Sequence, residues 1–196
     1  SYPSMVKIFG GVPSIICTQE AGGWKASAEM IEQQISSKTK ALIINNGANP
    51  TGILYSRTEL AAILAVAERH NLVVISDEVY SGLTYDNNPY VSCGSFPEYQ
   101  DRVIIIQSCS KHFAMTGWRV GFLFGPKEIV DVVSNLQGQS TTGTSSISQW
   151  AALAAIEQAD KIMPEVRTIM QNRRDILVSG LRNALGMAIS MPQAGL

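Results

Sequence analysis

The chain has few of the residues that mark metal sites, disulfide frameworks or strongly charged surfaces. Its three cysteines, Cys17, Cys93 and Cys109, form no CxxC pair, and it has only two histidines. We therefore predict no metal site and no disulfide-stapled fold, and the unpaired thiols favour a reducing, cytoplasmic location. Lysine and arginine (15) nearly balance aspartate and glutamate (16), which gives a net charge of −1. This balance argues against nucleic acid or an anionic membrane as the partner.

Long apolar runs are also missing, although apolar residues are plentiful. No run approaches the roughly 20 residues of a transmembrane helix. The first residues show no charged segment followed by an apolar one, as an export signal would. With 45% hydrophobic residues in a chain of 196, the protein can bury one sizeable core. We expect a compact protein whose partner is a small molecule.

Three apolar segments predict buried strands that end in polar residues. They span residues 41–45, 72–76 and 102–107, and they run into the sequences NNGANPTG, DEVY and SCSK. Between the first two lies a helical pattern over residues 56–70, with Ser56 as N-cap and Glu59 as its capping-box partner. A strand, helix, strand unit of this kind predicts a right-handed parallel crossover. The polar ends should then meet at one rim of the sheet, where open α/β sheets bind ligands.

The remaining patterns predict the other layers of the fold. We expect short strands over residues 5–9, 13–17 and 120–124, and helices over residues 27–36, 127–136, 146–158 and 164–185. Strands that alternate with helices and are followed by helices favour the α/β class. The predicted architecture is a three-layer α/β/α sandwich around a mainly parallel sheet.

Residues 108–126, SCSKHFAMTGWRVGFLFGP, are the most informative segment of the chain. They place Lys111 in a hydroxyl-rich turn at the end of a predicted strand, a setting that suits a lysine acting as a covalent catalyst. Three further motifs stand at ordered positions in the chain: Asn49-Pro50-Thr51-Gly52, then Asp77 with Tyr80, and, after the lysine, Gly117-Trp118-Arg119-Val120-Gly121. A single short motif recurs by chance, but this ordered set is specific.

The ordered set resembles the class I and II aminotransferases, which are fold type I enzymes that use pyridoxal 5'-phosphate. The resemblance covers nearly the whole chain and implies the large domain of a pyridoxal-phosphate-dependent transferase. It implies that Lys111 bonds to the cofactor and then moves the proton on the substrate's α-carbon. It also implies that Asp77 faces the cofactor's ring nitrogen and keeps it protonated. Lys111, Asp77 and Tyr80 are the candidate catalytic residues.

The same resemblance implies the remaining contacts to the cofactor. Tyr80 and Asn49 would donate hydrogen bonds to its phenolic oxygen. Ser108, Ser110 and Arg119 would bind its phosphate through two hydroxyls and a guanidinium. Pro50 stands in a tight turn, which motivates the expectation of a cis peptide bond.

Each candidate also has a structural explanation that the residues alone leave open. Asp77 and Ser110 could cap turns, and Tyr80 could be a packed aromatic with a hydrated hydroxyl. Lys111 and Arg119 could be surface charges, and the Asn49-Pro50 pair could be turn chemistry alone.

The sequence also departs from the family pattern. Gly47 stands where the family usually has proline, which predicts a more flexible loop. By resemblance, residues 1–185 form the pyridoxal-phosphate-binding large domain, incomplete at its amino end, and residues 186–196 begin a small C-terminal domain. The family's upstream phosphate loop and ring-stacking aromatic should precede Ser1. Its substrate-carboxylate arginine should follow Leu196.

The function that the resemblance implies is transfer of an amino group between an α-amino acid and a 2-oxo acid. An aspartate-type enzyme is favoured by the sequence MTGWRVGF and its surroundings, and the intact enzyme is expected to be a homodimer. Two alternatives on the same fold stay open: a carbon-sulfur lyase and a cyclopropane-forming synthase. A third is a catalytically silent module, against which the joint presence of Lys111, Asp77 and Tyr80 argues.

Overall fold

A four-stranded mixed sheet forms the centre of the protein. The computed structural model describes all residues, 1–196. The strands are β1 (Ala41–Asn45), β2 (Val73–Asp77), β3 (Val103–Ser108) and β4 (Gly121–Phe124), and they lie side by side in that order. β1, β2 and β3 are parallel, and β4 runs antiparallel to β3. The carboxyl ends of the first three strands and the amino end of β4 therefore share one rim.

Six helices accompany the sheet, and together they give the predicted α/β fold. They are α1 (Tyr2–Ile8), α2 (Ala28–Gln33), α3 (Arg57–Arg69), α4 (Lys127–Ser140), α5 (Ser146–Glu157) and α6 (Ala159–Leu185). Although α6 is long, no helix combines the length and apolar character that crossing a membrane requires.

Helix α3 and the strands beside it form the main core. The predicted capping box is present: the Glu59 N–H donates to the Ser56 hydroxyl, and the Ser56 N–H donates to the Glu59 carboxylate. Leu60 and Leu64 on the buried face of α3, and Val74 of β2, are fully buried in one cluster. Because the start of α3 is fixed by its own residues, the crossover returns the chain to β2 in parallel register.

Several predicted elements differ from the structure. The strands predicted over residues 5–9 and 13–17 are wrong: residues 2–8 are helical, with Ser1 as N-cap and proline in the first turn, and residues 13–17 have no regular structure. Proline fits a helix start because its missing N–H has no partner there in any case. The last helix begins at Ala159 and carries Pro164 inside it. Strands β2 and β3 each lie one residue later than predicted.

The final residues pack back on the rim. The N–H groups of Gln193 and Ala194 both donate to the Gly52 carbonyl, at 2.8 and 2.9 Å, and the Gly195 N–H donates to Leu83 at 3.0 Å. Arg174 of α6 holds this segment through the Pro192 carbonyl at 2.8 Å. The expected division between a large domain and the start of a small one at residue 186 stays a prediction.

Candidate active site

The strand register brings the predicted site residues to one rim of the sheet. Asn45 pairs with Asp77, Asp77 pairs with Ile106, and Ser108 pairs with Gly121. Because β4 is antiparallel, the residues just before Gly121, including Arg119, lie at the same rim as the ends of the parallel strands. A side chain at Gly121 would meet the Gln107 carbonyl at 2.9 Å, so only glycine lets the two strands approach here.

Asp77 is half-buried at the last position of β2 and has no cationic partner. Its carboxylate accepts hydrogen bonds from the Tyr2 hydroxyl at 2.6 Å and from the Val79 N–H at 3.3 Å. A carboxylate has about four acceptor positions, so it can still accept another N–H. Partial burial, together with the bond to this carboxylate, raises the pKa of Tyr2.

Tyr80 and Asn49 are brought into direct contact. The Asn49 side-chain amide donates to the Tyr80 hydroxyl at 3.1 Å, and the Tyr80 side chain is otherwise buried. The peptide bond between Asn49 and Pro50 is cis, as predicted. Gly47 does not give the loop an open position: it has φ +80°, and a side chain there would lie 3.0 Å from the Tyr80 Cβ.

Lys111 lies above the ring of Tyr80. Its Nζ is 5.7 Å from the ring centroid, a distance at which an ammonium interacts favourably with an aromatic face. The residue is half-buried in the turn that follows β3. The amine and the Asn49 amide thus contact the same tyrosine, one at its face and the other at its hydroxyl.

The predicted phosphate ligands lie along the β3–β4 end of the rim. The Ser108 hydroxyl donates to Ser110 Oγ at 2.9 Å and accepts from the Ser110 N–H at 3.1 Å. Arg119 is exposed, with φ +55°, and donates to the Thr116 carbonyl at 2.9 Å. These contacts leave most of the guanidinium's five N–H groups free.

Three charged groups at this rim stand outside every ion pair in the protein. All ion pairs involve other residues, so the amine of Lys111, the carboxylate of Asp77 and the guanidinium of Arg119 are unpaired with one another or with any other charge. An amine, a carboxylate, a phenol with an amide, and hydroxyls beside a guanidinium form a donor and acceptor set that fits pyridoxal phosphate. Of two surface cavities of about 430 Å³ each, one lies beside residues 35–40 and the other lies between β3, β4 and α4, where Gln107 and Gly121 line it.

Sequence reasoning missed two residues at the site. Tyr2 contacts Asp77 from 75 positions away, and no local pattern connects them. Asn45 donates its side-chain amide to the Asp77 carbonyl at 2.9 Å and accepts from the Asn49 N–H at 3.2 Å. Its position at the end of β1, opposite Asp77 in a parallel pair, was the signal that could have identified it.

Glu78 points into the interior, away from the rim. It is 1% exposed and accepts hydrogen bonds from the Ser76 hydroxyl at 2.8 Å and the Cys93 N–H at 2.9 Å. Burial raises the pKa of Glu78 above its usual range, and the hydrogen bonds oppose this only in part. Adjacent carboxyl groups therefore face different environments, with Asp77 at the rim and Glu78 in the core.

Comparison with known proteins decides the family. The family described as "Aminotransferase class I and II" matches residues 1–196. The chain belongs to the class I and II aminotransferases. Among curated relatives, the aspartate aminotransferase of Geobacillus stearothermophilus is 37% identical over 194 residues, which are 98% of this chain and 49% of that protein. The aspartate/prephenate aminotransferase of Thermus thermophilus is 36% identical over 195 residues, 98% of this chain and 50% of that protein.

Solved structures of this aminotransferase family share the fold. A structure of the Thermus thermophilus aspartate aminotransferase with maleate superposes with a TM-score of 0.93 at 35% identity, covering 99% of this chain and 50% of that one. An aromatic aminotransferase from Pyrococcus horikoshii gives a TM-score of 0.93 at 33% identity, with 99% and 52% coverage. The chain spans about half the length of the relatives it matches.

Proposed function

We propose that the protein is a pyridoxal-phosphate-dependent aminotransferase that moves an amino group between an α-amino acid, aspartate in the first instance, and a 2-oxo acid. The observation that carries this proposal is the set of three unpaired charges at the rim, Lys111, Asp77 and Arg119, together with the Asn49–Tyr80 pair that Lys111 faces. Membership of a family whose curated relatives include aspartate aminotransferases supports the amino donor.

Each residue has a separate task in the proposed reaction. When bound, pyridoxal phosphate supplies an aldehyde that bonds to amines and a ring that withdraws electrons from the substrate's α-carbon. Lys111 would supply the amine for that bond and would serve as the general base for the proton on the substrate's α-carbon. Asp77 would hold a proton on the ring nitrogen through its free acceptor positions. An unpaired charge at a strand end is costly, and this role accounts for it.

The remaining residues bind and orient the cofactor. Tyr80 and Asn49 would donate to the phenolic oxygen. Ser108, Ser110 and Arg119 would bind the phosphate, because hydroxyls and a planar guanidinium match phosphate oxygens in charge and geometry. Fixing both ends of the cofactor would hold the reacting carbon near the Lys111 amine, and such positioning supplies much of an enzyme's rate enhancement.

We also propose that the intact enzyme is a homodimer, as the family resemblance implies. Support comes from large apolar side chains that the chain leaves uncovered, such as Ile147 and Trp150 of α5, which are 73% and 72% exposed. Apolar surface of this kind is usually covered by another part of the protein or by a second copy. Sedimentation of the full-length protein at micromolar concentration should give a dimer, and a monomer would contradict the proposal.

Activity of the full-length protein tests the proposed reaction directly. With pyridoxal phosphate, aspartate and 2-oxoglutarate, we expect formation of glutamate and oxaloacetate at about 1–1,000 per second, the usual enzymatic range. Lys111→Ala should abolish turnover, whereas Lys38→Ala, on a distant exposed residue, should not change it. Release of ammonia and pyruvate from a cysteine thioether, without transamination, would instead identify a carbon-sulfur lyase.

A further inference from the structure

Two separate turns bear the proposed reactive side chains, so contacts between the turns must fix the position of one turn relative to the other. One turn, residues 77–82, carries Asp77 and Tyr80, and the other, residues 108–112, carries Lys111. Two hydrogen bonds join the segments near the strands: the Glu78 N–H donates to Ile106 at 2.9 Å, and the Gln107 side chain donates to the Ser81 hydroxyl at 2.9 Å. Neither bond reaches the turn that bears the lysine.

His112, the residue directly after the lysine, fills the gap between the turns. It is 9% exposed, and its side chain lies against Gly82. A Cβ on Gly82 would stand 2.6 Å from the His112 Cβ and 2.9 Å from its Cγ, far inside van der Waals contact. The lysine turn thus approaches residue 82 so closely that only glycine fits.

The imidazole also has a polar contact on the other side of Tyr80. The imidazole lies next to the backbone of Val79, and its buried Nδ1 has no hydrogen-bond partner. Burial lowers the pKa of His112, and the nearby Val79 backbone opposes that effect only in part. The ring of Phe113 packs on the imidazole edge to face, with centroids 4.7 Å apart, and limits its rotation.

These contacts single out the segment that surrounds Tyr80. His112 contacts Val79 and Gly82, which bracket the tyrosine, and the neighbouring Lys111 amine lies 5.7 Å from the tyrosine ring centroid. Two consecutive residues of one turn therefore hold the same short stretch of the other. Any movement of His112 would move the lysine backbone relative to Tyr80.

We propose that His112 is a positioning residue for Lys111: its imidazole, packed on Gly82 and next to the Val79 backbone, fixes the lysine amine over the Tyr80 ring. This inference rests on the proposed function, because the position of the Lys111 amine matters for catalysis only if that amine reacts with the cofactor. Its geometry does not depend on the cofactor. The role can therefore be measured in the protein without cofactor.

The test compares the chemical reactivity of two lysines in the full-length protein free of pyridoxal phosphate. Limited reductive methylation followed by peptide mass spectrometry gives the ratio of modification at Lys111 to that at the exposed Lys38. His112→Leu keeps apolar volume but loses the polar imidazole beside the Val79 backbone, and we expect the ratio to rise by about fivefold as the amine leaves the ring. His112→Gln retains a side-chain N–H and should keep the ratio within about twofold of the wild type.

Two further variants separate positioning from general loosening. Gly82→Ala keeps the histidine but forces the turns apart, so it should raise the ratio as His112→Leu does. Cys109→Ala removes buried volume from the same turn, in the cluster with Met115 and Val120, and should leave the ratio unchanged. If His112→Leu does not fold, His112→Gln and Gly82→Ala decide the question.

The outcomes distinguish this inference from the proposed function. The positioning role would be overturned if the ratio were unchanged in both His112→Leu and Gly82→Ala. It would also be overturned if Cys109→Ala or His112→Gln raised the ratio as much as His112→Leu does. Loading each protein with pyridoxal phosphate and measuring bound cofactor at Lys111 is the second readout. If the wild-type protein never bonds the cofactor, the proposed function is refuted. The modification ratio measured without cofactor would still test the positioning role of His112.

Discussion

Asp77 is the single residue on which the proposed chemistry makes the greatest electrostatic demand. Asp77→Ala in the full-length enzyme should lower kcat by at least about 100-fold, because removing a preorganised electrostatic partner of the reacting group costs roughly 2.7–4 kcal/mol. Tyr2→Phe removes only the 2.6 Å hydrogen bond to the same carboxylate. Tyr2→Phe should raise the activation free energy by about 1 kcal/mol, which lowers kcat roughly fivefold. Steady-state kinetics and bound-cofactor content at saturating pyridoxal phosphate measure both, and near-normal turnover in Asp77→Ala would exclude its role.

Glu78 predicts a pH dependence of stability with a definite sign. Its pKa is raised in the folded protein because the side chain is buried, so between the unfolded and folded pKa values the native state binds more protons. The stabilisation from this group is therefore present at low pH and is lost as pH rises through the folded pKa. Glu78→Gln should remove that loss. Denaturant titrations at pH 5 and pH 8 should show the variant gaining stability relative to wild type at pH 8, and a constant difference would contradict the expectation.

The residues near the site differ in how far sequence could predict them. Lys111, Asp77, Ser108 and Arg119 stand in ordered motifs directly after apolar strands, so local pattern and resemblance were sufficient to name them. The contact of Tyr2 with Asp77 depends on how residue 2 returns to the rim from a distant part of the chain. The closeness of His112 and Gly82 likewise arises only when two turns meet. The roles of all these residues at the site stay predictions.

Among the elements, helix α3 has the most completely specified start. Ser56→Ala removes the side chain that accepts the Glu59 N–H at 3.3 Å and breaks the capping box. We expect a loss of about 1 kcal/mol in the free energy of unfolding. Ser37→Ala, on an exposed serine without a capping role, is the matched control. Urea titration of the full-length variants measures both, and equal stability of the two would contradict the assignment.

Elements that are determined by local sequence were predicted more accurately than elements that depend on contacts with distant segments. Strand β1 and helix α3 were predicted nearly to the residue, because apolar periodicity and caps are local. The ends of β2 and β3 shifted by one residue, since a strand ends where its neighbours stop providing hydrogen-bond partners. Residues 5–9 were predicted as a strand from their apolar character, although Pro3 in the first turn was a helix-start signal.

At the scale of the whole molecule, Arg174 connects helix α6 to the segment behind the rim. Its side chain is 8% exposed and makes a two-pronged contact with Asp86 at 2.6 and 2.8 Å, besides its bond to the Pro192 carbonyl. Arg174→Lys keeps the charge but loses the planar fork. Because Asp86 is 47% exposed, we expect a cost of only about 1–2 kcal/mol.

The adjacent exposed residue provides the control for that prediction. Arg173→Lys makes the same chemical change one position away and should alter stability by less than about 0.5 kcal/mol. Thermal and denaturant unfolding of the full-length variants measure both. Equal stabilities would show that the Arg174 contacts contribute nothing to holding the final segment.

The overall topology was predictable in part. The parallel order of β1, β2 and β3 follows from the crossover connections between consecutive apolar strands. Contacts between distant segments determine the antiparallel direction of β4 and the return of residues 192–195 to Gly52. Local sequence patterns do not predict such contacts. The sandwich fold was predicted, and the comparisons with solved aminotransferases confirm it.

In the proposed reaction, Lys111 is the residue that bonds to pyridoxal phosphate. Borohydride reduction of the cofactor-loaded, full-length protein, followed by proteolysis and mass mapping of the lysines, tests this role. We predict a pyridoxyl group on the peptide that contains Lys111, and its loss in the Lys111→Ala variant. A label on any other lysine, with Lys111 unmodified, would show that Lys111 does not bond to the cofactor.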